Sequence, residues 1–484
     1  EFSLAAPNHG PAGITRGPDG NIWFTEVDGI NGNRIGRITP SGQINEFATR
    51  ITPGSQPFDI TAGPDGNLWF SETADRIGRI TPTGQVTEFA TGITAGSQPS
   101  GIVTGPDGNI WFTEPLGPNG FGAIARITPA GVVTEFRTGL TRNSEPFEIT
   151  VGPDHNLWFT ELLGGVGRIT TSGVITEFKA GITPNFQPAG ITAGSDGNLW
   201  FTEFGGKIGR ITTAGQVTEF SAGFTAGGGP NGITAGPDGS LWFTESSGSR
   251  VGAINTAGQI TEFSAGITPA SHPFEITTAP GGTLWFTELD GNRVARIGLA
   301  PQVTSVVVNG GAAQRSMVTQ IQVAFDQHVI LPDNPADAFR IVRQEDGAVV
   351  TLRAIVDDSG TGTVITFQFD GGRGQGPSLA DGRYTLTVLA AQLSGKDGAL
   401  DGNGDGIGGD DFVLTGNPTN RLFRLFGDTN GDGVVDQIDL GQFRSTFNTA
   451  LGALNYLAFL DANGDGVVDQ VDLGQFRSRF NSSI

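Results

Sequence analysis

The chain has 484 residues, a formal net charge of −21, four histidines and no cysteine. So negative a balance argues against nucleic acid or anionic membrane surfaces as partners, and the lack of thiols removes disulfides and cysteine chemistry. No apolar run reaches membrane-spanning length, and the charge suits a soluble protein that also holds cations.

From the N-terminus, Trp-Phe-Thr-Glu recurs seven times, once as Trp-Phe-Ser-Glu, and holds every tryptophan in the chain: Trp23, Trp69, Trp111, Trp158, Trp200, Trp242 and Trp285. Intervals of 42 to 47 residues mark a repeat architecture in which one supersecondary unit is copied and stacked. The fifth unit reads as four short strands: Ala189–Ala193, Leu199–Glu203, Lys207–Thr212 and Gln216–Ser221. Each is rich in Ile, Val, Thr and aromatics and bounded by Gly, Asp and Asn. Pro-Asp-Gly segments such as Pro64–Gly66 preset a turn and supply its positive-φ residue.

Seven four-stranded units predict a seven-bladed β-propeller over residues 1–299. The seventh unit lacks a fourth strand after Arg293–Leu299, and Glu1-Phe2 matches the Glu-Phe of the other fourth strands, so the N-terminus is expected to close the ring. A chain that opens inside a strand with no leader reads as a mature, secreted form.

Residues 300–417 lose the repeat. Longer alternating strands, including Val318–Phe325, Val349–Ile355, Val364–Phe369 and Arg383–Val388, predict an immunoglobulin-like β-sandwich of about seven strands acting as a spacer.

Residues 418–484 carry two 12-residue calcium loops, Asp428–Asp439 and Asp461–Asp472. Oxygen side chains stand at positions 1, 3, 5, 9 and 12, position 7 offers its carbonyl, and position 6 is glycine, as in EF-hand-type loops. The expected ligands are Asp428, Asn430, Asp432, Asp436 and Asp439 with the Val434 carbonyl, then Asp461, Asn463, Asp465, Asp469 and Asp472 with the Val467 carbonyl. A third acidic loop, Asp401–Asp411, matches over its first six positions but has Gly409 at position 9 and Phe412 at position 12. Asp401, Asn403, Asp405, Asp410 and the Ile407 carbonyl are its candidate ligands, against a solvated turn that binds nothing.

The paired loops, with Asp at position 12 and the following segments Leu440–Phe447 and Leu473–Phe480, resemble a type I dockerin over residues 421–481. The resemblance implies a small α-helical, calcium-stapled domain of secreted bacterial proteins, with a cohesin-like protein as partner. In that family positions 10 and 11 help choose the partner and are often small hydroxyl residues; here they are Gln437-Ile438 and Gln470-Val471. A local structural role or self-association therefore competes with a cellulosomal cohesin. Together with Leu422–Phe426 before the first loop, the tail resembles those of secreted planctomycete-type proteins.

The repeat units, such as Gly209–Phe220 and Gly197–Glu203, resemble streptogramin B (virginiamycin B) lyases over residues 1–299. The resemblance implies a seven-bladed propeller that opens a cyclic depsipeptide lactone by elimination, using a divalent metal with His and Glu groups on one face. It implies an essential His after the Pro that starts an inner strand. The corresponding residues here are Ala12, Phe58, Ser100, Phe147, Ala189, Asn231 and Phe274. None can act as the base such an elimination needs. His9 and His272 lie in loops leading to inner strands and keep a divergent lyase in view beside exposed loop histidines.

The tetrad glutamates Glu26, Glu72, Glu114, Glu161, Glu203, Glu245 and Glu288 suggest either a cation ring or, as residues present in every unit, a part of the fold. The candidate ligand face comprises His9, Glu26, Phe58, Phe121, Phe147, His272, Phe274 and Glu288. Two lengthened loops, Val27–Asn33 and Pro115–Gly122, are expected on that face. The sequence thus predicts a secreted, calcium-binding surface or matrix protein that is not an enzyme and serves binding or extracellular assembly, including homo-oligomers. The alternatives are a divergent lyase and a carbohydrate-binding appendage that uses Phe58, Phe121, Phe147 and Phe274.

Overall fold

The computed structural model describes residues 1–4, 10–27, 33–279, 282–360, 362–369, 378–396, 398–403 and 408–484. It divides into two compact units, Glu1–Ile297 and Gly298–Ile484.

Among the described residues, the first unit consists of propeller-like repeats of four-stranded antiparallel sheets, seven in all. The second sheet is typical: Pro57–Ala62, Leu68–Glu72, Arg76–Ile80 and Val86–Phe89, in sequence order. In the seventh, Phe2–Ser3 supplies the fourth strand by pairing antiparallel with Arg293–Ile297. Each inner strand lies beside the next, and Pro273–Thr278 lies beside Gly10–Arg16.

The tetrad explains why the sheets stack. Successive side chains on a strand point to opposite faces, so Trp69 joins Ile102, Ile110 and Phe112 of the following sheet. Phe70 joins Trp23 and Ile35 of the preceding one. The apolar core is therefore distributed between sheets. The second tryptophan shows the clamp that most of them share: Phe89 stacks on Trp69 at 5.4 Å, the Arg79 guanidinium lies 5.3 Å from the ring, and the indole N–H donates to Asp65 of the Pro-Asp-Gly turn at 3.1 Å. Gly78 faces the Phe70 ring so closely that a Cβ there would lie 2.0 Å from it.

In the second unit Val303–Val308, Gln320–Phe325, Val364–Phe369 and Leu352–Asp357 form one sheet in that order. Phe339–Arg343, Gly382–Val388 and Phe412–Thr415 form another. Alternation buries Ile321, Val323 and Phe325 in one core with Phe339, Ile341 and Leu386, and Phe339 meets Phe367 edge-on at 4.8 Å. The tail adds two helices, α1 (Gln437–Thr446) and α2 (Gln470–Arg479). Both begin three residues before the expected Leu440 and Leu473, because Asp436 and Asp469 act as N-caps in complete capping boxes with Asp439 and Asp472.

A domain boundary expected near residue 417 is bridged inside this unit. The buried Arg424 forms an ion pair with Asp381 at 2.9 Å, and Arg479 of α2 reaches the same carboxylate at 2.6 Å. No helix among the described residues is long and apolar enough to cross a membrane.

Candidate functional site

The tetrad hydroxyls, Ser71 in the second unit and threonine in the other six, form a continuous circuit. Thr25 accepts from the Gly13 amide at 2.9 Å and donates to the Phe58 carbonyl of the next sheet at 2.7 Å. The same pattern repeats around the unit until Thr287 donates to the Ala12 carbonyl at 2.7 Å. These hydroxyls hold a β-bulge at the start of the inner strands, between Pro57 and Ile60 in the second sheet.

The tetrad glutamates do not form a cation ring on a face. Glu26 and Glu288, candidates for the ligand face, are wholly buried, as are the other five. Six sit beside a second glutamate that is tied to a neighbouring threonine, and Glu26 sits beside Glu46, which pairs with Arg34. Glu88, for example, accepts from the Thr52 amide and hydroxyl, both at 2.5 Å, while Ser55 donates to Glu72. Burial, reinforced by the Glu88 charge, pushes the Glu72 carboxyl up to about 8; burial and the Glu46 charge do the same for Glu26. Two carboxyls share one cation, Arg250 with Glu245 and Glu262 at 2.7 and 3.3 Å. Such a pair is neutralised by keeping one proton.

The inner strands hold something the sequence reading did not single out. The second, fourth and seventh units read Pro-Phe-acid where the other four read Pro, a smaller residue and Gly. Phe58 packs edge-on against Phe147 at 5.8 Å and Phe274 at 5.9 Å, so three of the candidate-face residues cluster. Behind them Asp59, Glu148 and Glu275 are close enough to affect one another's ionisation. Burial raises Asp59 to about 7; burial and the Asp59 charge raise Glu275 to about 8, and Glu148 also rises well above its ordinary value. Gly13, Gly101 and Gly232 leave the room these carboxyls occupy, a Cβ at Gly101 lying 2.9 Å from Glu148 Oε2. The signal for this cluster was the break in the repeat at the residue following each phenylalanine.

His272 pairs with Asp290 on the surface, and among the described residues its side chain has no glutamate partner. His9 lies outside the described residues, as do 28–32 of the first lengthened loop. In the other lengthened loop Phe121 is partly exposed, its carbonyl held by Arg137 at 3.0 Å.

The tail loops are built alike. Asp428 accepts from the amides of Gly431 and Gly433 at 2.6 and 3.0 Å, and Asp461 from Gly464 and Gly466 at 2.7 and 2.8 Å. These four glycines have positive φ, which wraps the loop around its first aspartate. Asn430 donates to Asp432, and Asn463 to Asp465, both at 2.8 Å. Asp439 accepts from Thr429 and Asp436, and Asp472 from Ala462 and Asp469, so position 12 ties each loop's end to its start.

Among the described residues, no three acidic or histidine side chains are already gathered as an ion cage; the aspartates are turned to backbone amides. The donor set nevertheless suits a hard cation, being all oxygen with no competing lysine or arginine in either loop. Burial, with the Asp439 and Asp432 charges, raises Asp428 to about 6, and burial raises Asp472 too. A divalent ion would relieve that strain. Asp428, Asn430, Asp432, Asp436 and Asp439 with the Val434 carbonyl would hold one ion, and their counterparts from Asp461 to Asp472 a second.

The third loop differs. Asp401 is buried, accepts from Gln302 at 2.8 Å and lies in a parallel bridge with Asp410. Asn403 is at the edge of the described stretch, while Asp405 and Ile407 lie outside the described residues.

A family model for virginiamycin B lyases matches residues 1–221 and 118–333, and one for the type I dockerin domain matches residues 426–481. A solved streptogramin B lyase is 35% identical with a TM-score of 0.56, the match covering 61% of this chain and 95% of that one. Virginiamycin B lyase from Staphylococcus aureus is 40% identical with a TM-score of 0.54, covering 60% of this chain and 95% of that one. A catalytically inactive form of the Staphylococcus aureus enzyme, with one histidine changed to alanine and quinupristin present, is 40% identical with a TM-score of 0.55. That match covers 61% of this chain and 97% of the other. No curated protein matches the chain.

Proposed function

The chain belongs to the virginiamycin B lyase family, and we propose that it has kept the family's propeller without its reaction, as an extracellular binding or assembly protein carried by a calcium-loaded dockerin tail. In this reading the seven sheets are the blades of one propeller. The two sheets of the second unit are an immunoglobulin-like spacer, residues 300–417, before the tail, residues 418–484. Type I dockerins are calcium-binding modules of secreted or surface proteins, which supports placing this chain outside the cell with calcium and a cohesin-like protein, or a second copy of itself, as partners.

One observation carries the non-enzymatic reading. The inner-strand positions at which the family resemblance implies a catalytic histidine hold Ala12, Phe58, Ser100, Phe147, Ala189, Asn231 and Phe274, and three of these are phenylalanines packed on one another. Elimination requires a base within reach of the proton it removes. The phenylalanine side chains at those positions offer none, and a related lyase with a single histidine replaced is described as catalytically inactive.

The test is to incubate the full chain with quinupristin and a divalent metal. Elimination leaves the mass unchanged, so ring opening is followed by chromatographic retention. Unchanged substrate is expected; turnover would restore the lyase reading. Light scattering in calcium and then in chelator tests the partner: multimers that dissolve on chelation identify a second copy, and a monomer in both excludes it.

A further inference from the structure

The two tail loops are nearly identical in sequence and stand in different surroundings. In the first, Asp428, Thr429, Gly431 and Gly433 are buried. Its opening residue is grasped by the segment before the second sandwich strand: the Asp428 carbonyl accepts from the amides of Arg315 and Ser316, each at 2.9 Å. Ser316 Oγ accepts from the Gly427 amide at 2.9 Å, and Asp381 from the Phe426 amide at 2.8 Å. Gly431 lies so close to the Ala313 carbonyl that a Cβ would come within 1.9 Å of it. From the other side Asn481 donates to the Val435 carbonyl at 2.7 Å, and Ile484 to Gly433 at 3.0 Å.

The second loop is framed less: Ser316 reaches only its approach, donating to the Phe459 carbonyl at 2.6 Å. Asn463, Gly464 and Asp465 are exposed, and Asp461 is partly so. Its backbone partners come from the short connector between the helices: Leu451 donates to Gly466 and Asn448 to Val468, both at 2.7 Å. Tyr456 donates to Asp461 at 2.8 Å.

We propose that the first loop is a permanent, structural calcium site that locks the tail to the sandwich, whereas the second is an exchangeable site that alone follows calcium in solution. This rests on the calcium reading of the tail given above. A loop already held by its neighbours loses little further freedom when it closes on an ion, whereas a free loop loses that freedom on binding. By the same linkage, an ion that binds only the framed loop stabilises the frame. The first loop, its contacts with Arg315 and Ser316 and the Asp381 bridge therefore form one cooperative joint.

Calorimetric titration of the calcium-stripped full chain tests this. Two sites are expected, differing at least about tenfold in affinity. Asp432→Ala should remove the tighter and Asp465→Ala the weaker. Hydrogen exchange gives a readout independent of affinity: Asp432→Ala should expose the Arg315 and Ser316 amides, while Asp465→Ala should leave them protected. Should Asp432→Ala fail to fold, Asp381→Asn, which touches no expected ligand but bonds both the Phe426 amide and Arg479 of α2, is expected to weaken the tighter site more than the other. Two equal sites, or protection of Arg315 and Ser316 that follows the second loop, would overturn the asymmetry. No calcium uptake by either loop would overturn it together with the calcium reading beneath it.

Discussion

The molecule repeats acidic residues in two places, and the two sets have opposite fates. In the propeller-like unit the glutamate of every tetrad is buried beside a second glutamate and one cation, joined in four of them by a serine hydroxyl. Glu245, for example, stands with Glu262 and Arg250. In the tail the repeated aspartates are met by backbone amides and by one another, with no cation in either loop. The first arrangement holds its own neutralising partners and a retained proton. The second has oxygen to spare and suits an added ion. Recurrence of an acid is therefore no sign of a metal; what matters is whether the fold brings a positive partner or leaves its place open.

Chelation should produce the largest contrast. Calcium in excess of its Kd by about a thousandfold contributes about 4 kcal/mol to the state that holds it. Its removal is expected to lower the unfolding temperature seen by tyrosine emission, since both tyrosines, Tyr384 and Tyr456, lie in the second unit. All seven tryptophans lie in the first unit, and their transition should stay in place. A tryptophan transition that moves with it would break the comparison.

Glu72→Ala comes next. It strands the buried Ser55 hydroxyl, at a cost of about 1–3 kcal/mol in denaturant unfolding followed by tryptophan, with or without calcium. A loss that appears only in calcium would make this glutamate a ligand after all.

The third prediction concerns pH. A carboxyl whose folded pKa is raised gives stability that is whole below its unfolded pKa and is lost as pH climbs through the folded value. Glu72, raised to about 8, therefore weakens the propeller-like unit as pH rises from roughly 4.5 to 8. Asp65 works the other way. Burial would raise it, but hydrogen bonds from Asn67 and Trp69 outweigh burial and hold it low, so its contribution is lost as pH falls below about 4. Glu72→Gln should lessen the decline in unfolding temperature between roughly pH 5 and 8 by the share of one such carboxyl; an unchanged slope would assign the decline to the other groups. The smallest effect belongs to Asp65→Ala, which leaves the Trp69 N–H unpaired and should cost about 1 kcal/mol by denaturant unfolding.

Much of this was legible in the chain. The tetrad period announced four-stranded repeats because each strand is short and bounded by its own turn chemistry, as Pro64–Gly66 does for Leu68–Glu72. The two tail loops stood out in the sequence because the whole oxygen-bearing pattern lies within twelve consecutive residues, from Asp428 to Asp439 and from Asp461 to Asp472. The helix starts were read three residues late, since the capping role of Asp436 and Asp469 was hidden behind their place in the calcium pattern.

Whatever depends on partners distant in sequence waited for the tertiary structure. The glutamate of a tetrad looks the same on paper whether it faces solvent or a buried Ser55 and Glu88. Phe58, Phe147 and Phe274, with Asp59, Glu148 and Glu275 behind them, come together only because inner strands of separate repeats line one ring. The difference in surroundings between two nearly identical acidic loops has no trace in either loop; it comes from Ala313, Arg315, Ser316 and Asp381, whose contacts fall mainly on one of them. Sequence alone settled the local features, the repeat unit and the spacing of oxygens, because turn geometry and strand alternation act over a few residues. Burial, pairing and neutralisation were decided by the tertiary structure, because they depend on what the rest of the chain brings within a few ångströms.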